Sequence, residues 1–251
     1  GSGSGLQSFA AYRAGADKIY SFDYDKHSVE ATKSLWIKSG EPKKWKVGQG
    51  SVLDENFMLS LGKFDIIYSW GVLHHTGNVW KALENSILPL KKDGVLYIAL
   101  YAEEAYQDPP PEYWLNIKQN YNNSGCFNKK IIEIKYVFNS LMKSKITNIV
   151  ELIKMALLYK KNRGMSLWTD IKDWLGGWPM EFTSTQDVYN KADQELGLAI
   201  INLKMGGGCT EYLLKRRGIQ SWNDFSKVEN YDGEKIDLIT LQSFTNILEK
   251  R

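Results

Sequence analysis

The chain has 251 residues, 43% of them hydrophobic, which is enough for one large α/β domain with additions. A formal charge of +3 points to no polyanionic partner, and Cys126 and Cys209 make neither a metal-ligand spacing nor a disulfide scaffold. No apolar run approaches the ~18 residues of a membrane span and no signal-peptide pattern opens the chain, so a cytoplasmic location is the expectation.

In chain order, Gly1-Ser-Gly-Ser-Gly5 comes first, followed by a helix-like run from Leu6 to Ala14. Lys18 to Phe22 reads as a short buried strand that ends at Asp23. Glycine turn, helix, strand and acid form the first half of a nucleotide-binding α/β unit, with helix amides aimed at what the glycines cradle and the carboxylate suited to two ribose hydroxyls. Taken alone, Gly1–Gly5 also reads as a Gly-Ser linker; the helix and acid at the right distance favour the turn. The spacing is G-x-G-x-G, not the G-x-G-x-x-G of a dinucleotide site, because Leu6 or Ser8 stands where the third glycine belongs.

A helix is expected from Ser28 to Ser39, a strand from Trp45 to Gln49 and a buried strand from Phe64 to Ser69. A helix from Val79 to Leu90, a turn at Lys91–Gly94 and a strand from Val95 to Tyr101 follow. Alternating strands and helices imply a parallel sheet. From about Glu103 to Glu181 the alternation stops: Pro109–Pro111 breaks the chain, and Lys129 to Lys161 reads as one or two basic amphipathic helices. Their apolar positions include Ile131, Ile134, Phe138, Leu141, Ile149, Leu152, Ile153 and Leu157. Such helices lie on membranes or on partners, but a cap over the domain's own pocket is the favoured reading. A helix from Thr185 to Leu196 and a glycine-turned hairpin, Leu198–Met205 with Thr210–Lys215, close the sheet. Residues 218–251 read as a tail with a helix near Asp237 to Leu248.

Gly1-Ser-Gly-Ser-Gly5, Asp23, Ser51-Val52, Ser69-Trp70-Gly71 and the closing hairpin resemble, in order and spacing, the class I S-adenosylmethionine (SAM) methyltransferases. The resemblance runs from Gly1 to about Arg216. It implies an α/β, Rossmann-like, mostly parallel sheet with a C-terminal antiparallel hairpin and a helical insertion at about 103–181, all within a domain of residues 1–217. The family has a strand before these glycines, so the expectation is a sheet that lacks its first strand. By the same resemblance Gly1, Gly3 and Gly5 pass under the methionine and ribose of SAM, and Asp23, with Tyr24 after it, takes the ribose hydroxyls. Ser51 and Val52 lie along the adenine, with Asp54 the alternative because an aspartate often stands where Ser51 does. Ser69 and Trp70 face the methionine end.

His74 and His75 follow the fourth family strand, in a loop where ligands bind in this architecture. Histidine titrates near neutrality, so His75 is the candidate base for a hydroxyl or nitrogen nucleophile, and His74 a candidate acceptor contact; loop hydrogen bonding is the alternative for both. His27 reads as an exposed bystander and no metal set emerges. Arg163-Gly-Met-Ser166 and Asp173–Glu181 resemble a segment of a bacterial subgroup of these enzymes, mostly of unassigned substrate, which often accompanies surface-sugar genes. Arg163 and Glu181 are therefore candidate contacts to a small-molecule or glycan-type acceptor, methylated at oxygen. A non-catalytic protein on the same fold and a nicotinamide oxidoreductase are the alternatives. Nucleic acid is not expected as a partner, for the chain has no strongly basic domain and no Asn-Pro-Pro-Tyr after the fourth strand.

Overall fold

The computed structural model describes residues 1–143, 157–159, 161, 166–217, 228–229 and 235–236. The tail helix expected near 237–248, and the helical positions Ile149, Leu152 and Ile153, lie outside the described residues. The chain divides into two units, Gly1–Ala105 with Glu181–Arg251, and Tyr106–Met180.

In the first unit, α1 (Leu6–Arg13), β1 (Ile19–Asp23), α2 (Lys26–Lys38) and β2 (Trp45–Gln49) form a crossover in which β1 and β2 pair in parallel. Three polar side chains bind these elements together. The buried Trp45 indole donates to Ser21 Oγ at 2.8 Å, and the Ser21 hydroxyl donates to Ser8 Oγ of α1 at 2.6 Å. After α3 (Glu55–Ser60), a second crossover joins β3 (Phe64–Trp70) through α4 (Val79–Ser86) to β4 (Leu90–Tyr101), again in parallel. The chain then returns with α8 (Thr185–Asn190), a π-helical turn (Lys191–Glu195), and the hairpin β5 (Leu198–Met205) and β6 (Cys209–Arg216). Strand order is β3-β4-β6-β5, with β6 antiparallel to both neighbours. This is the Rossmann-like α/β arrangement with the closing hairpin that the sequence implies. Among the described residues β1 and β2 form their own two-stranded sheet, with no ladder to β3.

Period-2 burial in β4 turns Leu96, Ile98 and Leu100 to one face, where Tyr212 and Leu214 of β6 join them. Val79, Ala82 and Leu83 of α4 and Val188 and Ala192 near α8 cover that face, at the i, i+3, i+4 spacing a helix stripe requires. The strand β4 is longer than expected. Lys91–Gly94, read as a turn, belong to it, and the extra residues are absorbed in a bulge opposite Phe64 and Ile66, with Lys91 bonding Asp65 at 2.9 Å. Asp25 and Asp54 cap α2 and α3, their carboxylates accepting from the amides of Ser28 and Phe57.

The second unit holds α5 (Pro111–Asn123), α6 (Cys126–Lys143) and α7 (Leu167–Gly176). The chain is irregular up to Pro110, and Pro111 then opens α5, because a first-turn residue has no intrahelical partner for its missing N–H. Lys118 is buried in this unit. Its ammonium donates to the Trp174 carbonyl and lies 3.9 Å from the centroid of the Trp174 ring. Trp174 stacks on Tyr106 at 6.1 Å and meets Trp114 edge-on at 5.6 Å, so this tryptophan is a packed corner.

Burial lowers the Lys118 pKa to about 8, against the attraction of Asp173. The unfolded chain keeps this proton up to the ordinary lysine value of 10.5, so between about pH 8 and 10 it binds more protons than the folded chain and stability rises with pH. Urea unfolding followed by tryptophan emission should show that rise. Lys118→Met should flatten it; an unchanged slope in this variant would remove Lys118 as its source.

Candidate active site

The glycine turn sits at the end of β1 and enters α1 through Gly5, which caps the helix in the left-handed region at φ 81°. Its geometry is set by neighbours. The Gly3 amide donates to Asp23 Oδ2 at 2.9 Å, and the Thr32 hydroxyl of α2 donates to the Gly3 carbonyl at 3.0 Å. The Ser2 hydroxyl meets Thr32 Oγ1 at 2.9 Å, and the Ser2 amide donates to the Phe22 carbonyl at 2.9 Å. Asp23 Oδ1 accepts from the Asp25 amide at 3.0 Å. Asp23 thus holds the turn, and its carboxylate keeps further accepting capacity on a partly exposed side chain.

The three glycines are small for different reasons. A Cβ on Gly5 would stand 3.1 Å from Thr32 Cα, so Gly5 permits close helix packing; one on Gly1 would strike Val72 at 2.5 Å, which places the turn against the loop that follows β3. A Cβ on Gly3, at φ 52°, would meet nothing within 4 Å. Open space above a pinned backbone is what a bound ligand needs.

Tyr24 is exposed, and its carbonyl accepts from Gln49 Nε2 at 3.1 Å. Ser51 Oγ accepts from the Leu53 amide at 3.1 Å, and the Val52 carbonyl accepts from Asn85 of α4 at 2.8 Å, which fixes the loop after β2. Ser69 is buried at the end of β3. Trp70 is 47% exposed, so it is no core aromatic. Its indole donates to Glu211 Oε1 at 3.1 Å while Tyr97 donates to Glu211 Oε2 at 2.5 Å, which ties β3 to β6 across β4.

The histidines occupy a 3₁₀ turn, Leu73–His75. His74 is buried and its Nδ1 accepts from the Tyr101 amide at 3.3 Å, so the neutral ring carries its proton on Nε2. His75 is half-buried, 4.5 Å from the His74 ring and perpendicular to Tyr101 at 5.6 Å. Glu181 reaches the same loop: its amide donates to the His74 carbonyl at 2.9 Å, and its Oε2 accepts from the Val79 amide at 3.0 Å. It therefore clasps the loop from both ends. Burial raises its carboxyl above the usual carboxylate range, and the Val79 amide opposes that. His27 is exposed beside Glu30, and Arg163 lies outside the described residues. Among the described residues no cluster of three or more His, Cys, Asp or Glu is placed to hold a metal.

Sequence reasoning missed Thr32 and the capping role of Asp54. A hydroxyl on the buried side of α2 and an N-cap spacing were the available signals.

A glycine turn, an acid one strand later and, beside the turn, the loop at the exit of β3 fit a class I, Rossmann-like methyltransferase fold. The chain belongs to the methyltransferase domain family, which matches residues 1–163, and its cofactor is SAM. Among solved structures it resembles PKMT2 from Rickettsia typhi in complex with AdoHcy, at 18% identity over 88% of this chain and 48% of that one, with a TM-score of 0.58. It also resembles an O-methyltransferase family protein from Burkholderia thailandensis, at 11% identity over 87% and 50% of the chains, TM-score 0.51. The chain spans about half the length of these proteins. No curated protein matches the sequence.

The cradle predicts two outcomes in calorimetry with S-adenosylhomocysteine. Gly3→Val should abolish binding, because its side chain enters the open space and the φ of 52° strains any L residue there; circular dichroism checks that the sheet survives. Asp23→Ala should weaken binding roughly ten- to hundredfold, from the loss of about 1.5–3 kcal/mol in a charged hydrogen bond. Unchanged affinity in either variant would remove the turn from the cofactor site.

Proposed function

We propose that the chain transfers the methyl group of SAM to an oxygen of a small-molecule or glycan-type acceptor, with His75 as the base. The observation that supports this reading is the close approach of Gly1 to Val72, the residue immediately before the histidine turn, where an added Cβ on Gly1 would stand 2.5 Å from the valine side chain. Gly1, Gly3 and Gly5 would hold the methionine end with Ser69 and Trp70 beside it, Asp23 and Tyr24 the ribose, and Ser51 and Val52 the adenine. The cofactor supplies an electrophilic methyl on a sulfonium. What remains for the protein is alignment and one proton.

His75 accepts that proton from the acceptor hydroxyl at an imidazole nitrogen. His74, with Nδ1 committed to the Tyr101 amide, backs His75 and fixes its loop. That burial favours a holding role over the acceptor contact expected for His74. Glu181 sets the loop from the other side. We assign acceptor selection to the insertion at about 103–181 with Arg163, in a domain of residues 1–217 followed by a tail.

His75→Ala should lower turnover by about 10²–10⁴, the usual contribution of a general base, with S-adenosylhomocysteine affinity unchanged and the pH dependence near neutrality lost. A panel of sugars, phenols and lipid-linked glycans supplies the acceptor. Parent-rate turnover by His75→Gln would leave methyl transfer to alignment alone. Equal losses in binding and rate would make His75 structural.

A further inference from the structure

The helix α6 is amphipathic in an unusual sense, because two of its faces are apolar and only one is covered. Its inner side packs Ile132, Tyr136 and Val137 against Tyr121, Ile171 and Leu175. The single acid between Cys126 and Lys143, Glu133, is 2% exposed on that side, accepting from Tyr121 at 2.7 Å and from Lys130 at 3.0 Å. On the other side Phe127, Ile131, Ile134 and Phe138 are 79%, 37%, 59% and 63% exposed. At 100° per residue these four fall within about 60° of arc, with Lys130 and Lys135 about 70° to either side of its centre, Lys130 being held by Glu133 and the Trp168 ring. Burying the stripe would remove a large apolar area from water.

We infer that this stripe docks on the surface of an anionic lipid bilayer. The phenylalanines and isoleucines enter the boundary between headgroups and acyl chains, and Lys135 at the flank meets anionic headgroups. No helix among the described residues is long and apolar enough to cross a membrane, and an apolar stripe along one side of α6 suits a helix lying on the surface. A second copy fits the stripe poorly. Two-fold antiparallel pairing would set the Lys135 flanks against each other, with the helix's only carboxylate turned inward and bound to Lys130. The inference is independent of the methyl-transfer reading, since vesicle binding needs no turnover.

The test is co-sedimentation of the full chain with phosphatidylcholine–phosphatidylglycerol vesicles and with pure phosphatidylcholine vesicles. The chain should bind the anionic vesicles, less strongly as salt rises, and the neutral ones far less. Phe127→Ser with Phe138→Ser should weaken that binding roughly tenfold or more, as apolar burial sets the strength. Lys135→Gln should weaken it less. Both phenylalanines are mostly exposed, so native circular dichroism and parent affinity for S-adenosylhomocysteine confirm an intact fold. No binding to anionic vesicles, or equal binding by the phenylalanine variant, would overturn the inference. So would a dimer in sedimentation velocity that the same variant dissolves while vesicles recover nothing.

Discussion

The cofactor edge depends on how one flexible turn is made rigid. Glycine at three alternate positions would otherwise sample many conformations, and the entropy lost on binding would weaken any ligand it held. Here the Gly3 peptide is gripped from both ends, its amide by Asp23 and its carbonyl by Thr32. The two anchors come from β1 and from α2, so the crossover that builds the sheet also shapes the cradle. Asp23 therefore anchors the loop from the end of its own strand.

A similar economy operates at the histidine turn. Two hydrogen bonds from Glu181 close a loop whose ends would otherwise be independent, and the Tyr101 amide determines the His74 tautomer. Loop positions on a rigid frame are where binding and catalysis concentrate. The frame here is the buried face of β4 and β6 under α4 and α8. The second unit is organised differently, around Lys118 and a set of aromatic rings instead of a sheet.

Much of this was legible in the sequence where a local rule carried the signal. The strand Trp45–Gln49 matched to the residue, and the hairpin after Leu198 followed from its glycine turn. The π-helical turn after Asn190 and the opening of α5 at Pro111 were not legible. Proline breaks a helix interior yet starts a helix well, and sequence alone offers no position within the turn. The capping roles of Asp25 and Asp54 went unread, although capping rules place such residues at helix starts. Thr32 and Glu181 act through contacts 29 and 102 residues away, which no local pattern encodes.

The carboxylate of Glu211 has a consequence for how the molecule forms. It bonds Tyr97 and Trp70 from positions 114 and 141 residues further along the chain, so the exit of β3 cannot take its final arrangement until the hairpin is made. Contacts of such separation slow folding, because a long loop must close before they contribute. The crossover of β1, α2 and β2, by contrast, is local. Folding should thus begin at that crossover and finish at the exit of β3, which β6 locks from far along the chain.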